Sequence, residues 1–125
     1  MAMTGNDFVA EAKSHVREIS AEEAQVLMAQ GVKVLDVREP DEFAAGHLPG
    51  ALNIPRGVLE FRGPALLQDR ESALVVYCKT GARSVLATRV LNLMGYGQAV
   101  CLVGGFDPWA LSGLPVDKPL PSSCG

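Results

Sequence analysis

Residues 73–77, Ala-Leu-Val-Val-Tyr, are apolar at every position and run straight into a cysteine, Cys78. A continuous apolar, β-branched run of this length fits a strand covered on both faces, as in a parallel sheet between helices. A short loop follows. Beyond Ser84 the apolar residues Ala87, Val90, Leu91 and Met94 recur at i, i+3, i+4 and i+7, one face of a helix. Gly95 and Gly97 stop it. The order strand, cysteine loop, helix constrains the fold to an α/β type. It also places a thiol where the ligands of open parallel sheets bind, beyond the carboxyl ends of the strands.

That position has chemical consequences. The first N–H groups of a helix lack intrahelical partners and carry partial positive charge. Lys79 and Arg83 add two formal charges. Such surroundings favour a thiolate, the nucleophilic form of cysteine, and favour an anion beside it. An unpaired cysteine is commonly a core residue. Here strand end, helix start and flanking cations together point to a nucleophile instead.

The chain of 125 residues suits one domain with its own core. At 48% hydrophobic and 20% charged residues it has a globular composition, and its net charge of −3 carries no block of like charges. A nucleic-acid or anionic-membrane partner is therefore not expected. No apolar run approaches the roughly 20 residues of a membrane span. The opening segment lacks the basic-then-apolar pattern of a secretory signal. The three cysteines, Cys78, Cys101 and Cys124, are odd in number and form no CxxC, and His15 and His47 stand alone. A disulfide framework and a metal site are both unexpected, and a reducing cytoplasm is the default compartment.

Residues 1–15 read as an N-terminal arm or an extra helix, with Phe8, Val9, Ala12 and Val16 on one side. Residues 16–19 read as a short strand. Ser20-Ala21-Glu22-Glu23 is a capping box opening a helix with Ala24, Leu27 and Met28 on one face. Residues 32–37 form the next strand, so the spacing describes a βαβ unit. This strand ends in Asp36-Val37-Arg38-Glu39, and Pro40 blocks its extension. Asp36 reads as half of an ion pair tying strand end to loop. Arg38 is open between that role and lining the site.

Residues 40–45 make a short helix closed by Gly46. His47 is a hydrogen-bonded turn residue ahead of a short strand at 51–54. Val58, Leu59, Phe61, Leu66 and Leu67 suggest helical turns broken by Gly63-Pro64. A last buried strand spans 99–103 with Cys101 in the core. Gly104-Gly105 permits a sharp turn, and Trp109 anchors a short helix. Residues 115–125 read as a tail with Cys124 exposed.

Three stretches, in this order and spacing, resemble the rhodanese, or thiosulfate sulfurtransferase, domain family. They are Leu35-Asp36-Val37-Arg38-Glu39-Pro40-Asp41-Glu42-Phe43 running into Gly46-His47-Leu48-Pro49-Gly50-Ala51-Leu52-Asn53-Ile54-Pro55; Val76-Tyr77-Cys78-Lys79-Thr80-Gly81-Ala82-Arg83-Ser84; and Leu102-Val103-Gly104-Gly105-Phe106 with Trp109. The resemblance covers residues 16–114. It implies a three-layer sandwich, a mostly parallel five-stranded sheet with helices on both faces.

The activity the resemblance implies is sulfur transfer by double displacement. Cys78 is then catalytic and becomes a persulfide. Lys79, Thr80, Gly81, Ala82, Arg83 and Ser84 bind a small anionic sulfur donor such as thiosulfate, and Asp36 and Arg38 support them. The acceptor is cyanide or a thiol, including a protein thiol. No metal or organic cofactor is implied. Apart from the resemblance, a single small domain with a balanced surface is expected to be a monomer. Two other readings stay open. Family members without the cysteine serve as binding modules, so a persulfide carrier or regulatory module is one. The other is a phosphatase or arsenate reductase, because dual-specificity phosphatases of the cell-division-cycle type share the fold. Their loop has five residues between cysteine and arginine, whereas four separate Cys78 from Arg83 here.

Overall fold

A computed structural model describes residues 2–118 of the chain. The elements, in order, are α1 (Gly5–Lys13), β1 (Glu18–Ile19), α2 (Ala21–Ala29), β2 (Lys33–Asp36), α3 (Pro40–Ala45) and β3 (Leu52–Asn53). A 3₁₀ turn (Arg56–Val58) leads into α4 (Leu59–Leu66). Then come β4 (Leu74–Tyr77), α5 (Ala82–Leu93), β5 (Ala99–Leu102) and α6 (Phe106–Leu111). The strands form one five-stranded sheet in the order β1-β5-β4-β2-β3, and every neighbouring pair is parallel. The expected α/β sheet is thus present, with β4 at its centre and Cys78 at its carboxyl edge.

Alternation along the strands sorts the core into two layers. Leu35, Val76, Cys78, Leu59, Ala87 and Leu91 pack on the face covered by α4 and α5. Val34, Val75, Tyr77, Leu102, Ala24 and Trp109 pack on the face covered by α2 and α6. All four residues of β4 are buried, which explains the unbroken apolar run. The capping box expected at α2 forms: the Glu23 N–H donates to Ser20 Oγ at 3.1 Å, and the Ser20 N–H donates to Glu23 Oε1 at 3.2 Å.

Several sequence expectations need correcting. α5 begins at Ala82, two residues before Ser84, and it buries a second stripe, Ser84, Val85 and Thr88. The reason is α1. It lies against α5 and closes a third cluster of Ala12, Val85 and Cys101 with Val9, Val16 and Leu86. Phe8, expected on that buried side, is half exposed.

α4 runs through Gly63-Pro64 without a break. Leu59, Gly63 and Leu67 recur at i+4 and are all buried. That packed seam outweighs the one helical N–H that Pro64 removes. Phe61 and Leu66 lie outside that seam and are exposed. β5 stops at Leu102, leaving Val103 exposed in the turn.

The start of the expected tail is laid on the domain. His47 and Asp117 exchange backbone hydrogen bonds at 2.9 and 2.8 Å, and Trp109 Nε1–H donates to the Pro115 carbonyl at 2.8 Å. Cys124 lies outside the described residues.

The end of β2 is tied down by a buried polar network. Asp36 Oδ1 accepts from the Arg38 N–H at 2.8 Å, and Arg38 Nη2–H donates to Asp36 Oδ2 at 2.7 Å and to the Gly46 carbonyl at 2.6 Å. Tyr77 O–H donates to Asp36 Oδ2 at 2.6 Å and accepts from the Leu48 N–H at 3.0 Å. Burial first, and the Asp36 charge second, push the Tyr77 hydroxyl pKa up. The phenol therefore stays a proton donor to Asp36. Removing it orphans the Leu48 N–H, so Tyr77→Phe should cost about 1–3 kcal/mol in a urea unfolding series.

Candidate active site

The loop from Cys78 to Ser84 wraps around one sulfur atom. β4 delivers Cys78 to the sheet edge on the α5 face. Gly81, at φ 114°, turns the chain back so that α5 can start at Ala82. Two backbone donors then converge on Cys78 Sγ, the Gly81 N–H at 3.1 Å and the Ser84 N–H at 3.2 Å. The Ser84 N–H belongs to the first turn of α5, where no carbonyl can receive it. The sulfur takes the place of a capping side chain, and the aligned peptides of α5 favour negative charge on it. The thiol also donates to Ser84 Oγ at 3.4 Å, and the Ser84 hydroxyl donates to the Gly81 carbonyl at 3.0 Å.

The back of the loop rests on α6. The Phe106 N–H donates to the Cys78 carbonyl at 2.7 Å and the Asp107 N–H to the Lys79 carbonyl at 3.0 Å. These are first-turn donors of α6, used here to fix loop carbonyls. The approach needs glycine at position 105, since a Cβ there would lie 2.5 Å from the Cys78 oxygen.

The front of the loop is held by Glu42, a residue that sequence reasoning did not single out. Arg83 donates to both its carboxylate oxygens, at 2.8 and 3.0 Å, and the Glu39 N–H donates to Glu42 Oε1 at 2.9 Å. The signal available was local. Glu42 follows Pro40 in the first turn of α3 and lies inside the first resembling stretch, but nothing in the chain order pairs it with a residue 41 positions on. Arg83 is therefore engaged by α3 and does not stand as a free cation.

Hydrogen bonds from Arg83, aided by the Glu39 N–H, hold Glu42 down to about 2 from a usual 4.5. A depressed acid stabilises the fold fully above its unfolded pKa, and the contribution fades as pH falls from about 4.5 through about 2. Glu42→Gln should flatten the loss of Tm over that window, measured by thermal melts across the acid range.

The structure brings Cys78, Gly81 and Ser84 into direct contact at the sulfur. Lys79, Thr80 and Ala82 form the exposed rim. Asp36 and Arg38 do not touch the sulfur. Asp36 and Tyr77 point to the α2 and α6 face, opposite Cys78, and the Arg38 guanidinium stacks 4.4 Å from the Phe106 ring centre. Their link to the site runs through α6 and the strand ends. Cys101 is buried in β5 beneath α1, and burial pushes its thiol up to about 11. His47 stacks on Phe43 and its Nδ1 lies 3.0 Å from the Phe43 carbonyl, a structural role in the turn.

Known proteins share this sequence pattern and fold. A family model for the rhodanese-like domain matches residues 20–112. A sulfurtransferase of Allochromatium vinosum is 38% identical over 106 residues, covering 83% of this chain and 97% of that protein. The thiosulfate sulfurtransferase GlpE of Haemophilus influenzae is 32% identical, covering 81% of this chain and 94% of that protein. The human single-domain sulfurtransferase TSTD1 superposes with a TM-score of 0.70 at 34% identity, covering 77% of this chain and 96% of that structure. With its parallel sheet, its thiol cradled at the sheet edge and these relatives, the chain belongs to the rhodanese-like domain family.

Proposed function

We propose that the chain is a sulfurtransferase that carries sulfane sulfur on Cys78. The observation that supports this most is the convergence of two backbone N–H groups, those of Gly81 and Ser84, on Cys78 Sγ. Such donors stabilise a thiolate before attack and a leaving thiolate after it, as an oxyanion hole does for oxygen.

In the first half-reaction the thiolate attacks the outer sulfur of thiosulfate. A new Sγ–S bond forms, the S–S bond of thiosulfate breaks, and sulfite leaves with the electron pair. In the second, cyanide or a thiolate attacks the outer sulfur of the persulfide, and the electron pair of the broken Sγ–S bond returns to Cys78. Cys78 is 1% exposed, at the bottom of its loop. This favours small donors and acceptors over a protein thiol and gives a single chain all it needs. A reducing compartment such as the cytoplasm would keep the thiol competent.

The test is intact-protein mass after incubation with thiosulfate. A gain of one sulfur atom, discharged by cyanide, is expected, together with no turnover of an aryl phosphate. No gain in a reduced, folded sample overturns the proposal.

A further inference from the structure

Beside the catalytic loop, at the β1 edge of the sheet, lies a groove of about 380 Å³. That volume falls in the range of small-molecule sites, roughly 300–1,000 Å³. One end is the loop itself. Gly81 lines the groove, and its N–H points at Cys78 Sγ. The walls are apolar, from Val9, Ala82 and Val103. The far end carries one charge of each sign, Lys13 on α1 and Glu18 on β1.

These two charges hold each other weakly. Lys13 Nζ and Glu18 Oε2 are 3.9 Å apart, with side chains 53% and 32% exposed. A long, exposed pair of this kind contributes little and opens readily to a competing ligand. Glu18 pairs in register with Cys101, and Cys101 with Val76, two residues before Cys78. Strand spacing and rise put the Glu18 and Cys78 Cα atoms about 12 Å apart. Side chains reaching in from both ends shorten that to the span of a small molecule. Val9, Lys13 and Glu18 all precede the residues 20–112 that the family model matches.

We infer that this groove is the acceptor subsite, and that it selects a small thiol carrying both an ammonium and a carboxylate, an amino-acid-type thiol. The carboxylate pairs with Lys13 and the ammonium with Glu18, while the carbon chain lies along Val9 and Val103. The thiolate then attacks the outer sulfur of the Cys78 persulfide. The bond from acceptor sulfur to outer sulfur forms, the Sγ–S bond breaks, and its electron pair returns to Cys78. The proton on the outer sulfur leaves with the product persulfide. The inference rests on the sulfurtransferase reading, and it explains what the N-terminal helix adds to that reaction.

The experiment discharges pre-formed Cys78 persulfide with a set of acceptors in single turnover, each rate divided by the same variant's rate with cyanide. The probes are L-cysteine, cysteamine with only the ammonium, 3-mercaptopropionate with only the carboxylate, and 2-mercaptoethanol with neither. Lys13→Gln should raise the half-saturating concentration about 5- to 10-fold for L-cysteine and 3-mercaptopropionate and leave that for cysteamine. Glu18→Gln should do so for L-cysteine and cysteamine and leave that for 3-mercaptopropionate. Equal effects on all four thiols, or none on L-cysteine, overturn the subsite while the persulfide chemistry stands. Failure to form a persulfide at all overturns both.

Discussion

Cys78→Ser should lose sulfur uptake and at least about 1,000-fold in turnover, the scale seen when a nucleophile is removed from a preorganised site. The substitution is close to isosteric, and the two N–H groups that meet Sγ would meet Oγ instead, so the fold should persist with a Tm near that of the native chain. What disappears is the sulfur that would carry the transferred atom. A serine hydroxyl has no base beside it here; the Ser84 hydroxyl and the loop amides are donors or neutral acceptors. The right comparison is Cys101→Ser. Cys101 is buried in β5, and burial pushes its pKa to about 11, so at neutral pH it stays a thiol with no path to solvent. That variant should keep the one-sulfur mass gain. Retained sulfur uptake in Cys78→Ser, or its loss in Cys101→Ser with the fold intact, would move the chemistry off the β4 loop.

How much of this could be read in advance depends on whether the signal is local. The run at 73–77, the capping box at Ser20 and the stop at Pro40 are written in neighbouring residues, because strand, cap and breaker are set by short-range geometry. The Cys78 loop was legible for the same reason, since strand, turn and helix start are contiguous. The Glu42–Arg83 pair was not, because two surface charges 41 residues apart carry no pairing signal until β2 and β4 lie side by side. The second buried stripe of α5 was hidden too. Val85 and Thr88 look like an ordinary outer face unless α1 is known to cover them. At α4 the local rule, proline as breaker, lost to a tertiary one, the seam of Leu59, Gly63 and Leu67. Residues 114–118 have no periodicity, yet they dock, because Trp109 Nε1–H and the backbone of His47 need partners that only those residues supply.

The role of Gly105 belongs to the same hidden class, and its substitution should be the most damaging change outside Cys78. Its backbone, at φ 72° and ψ −151°, occupies a region that side chains essentially exclude. A Cβ would also meet the Cys78 oxygen at 2.5 Å and the Lys79 carbonyl carbon and oxygen at 2.9 Å. Those atoms are backbone, so relief requires the loop and α6 to part, breaking the bonds from the Phe106 and Asp107 N–H groups. Strain and two lost bonds together put Gly105→Ala at about 3–5 kcal/mol of stability. A displacement of the loop on the order of 1 Å would cost a further ~100-fold in turnover of the folded fraction, since both sulfur donors move with it. Gly113→Ala separates the two causes. Gly113 follows α6 at φ 78°, but a Cβ there meets nothing within 4 Å. It should lose about 1 kcal/mol and keep native turnover per folded molecule. If Gly105→Ala behaves the same way in urea unfolding and in sulfur uptake, then α6 does not position the sulfur, and the loop holds its shape through Glu42 and α5 alone.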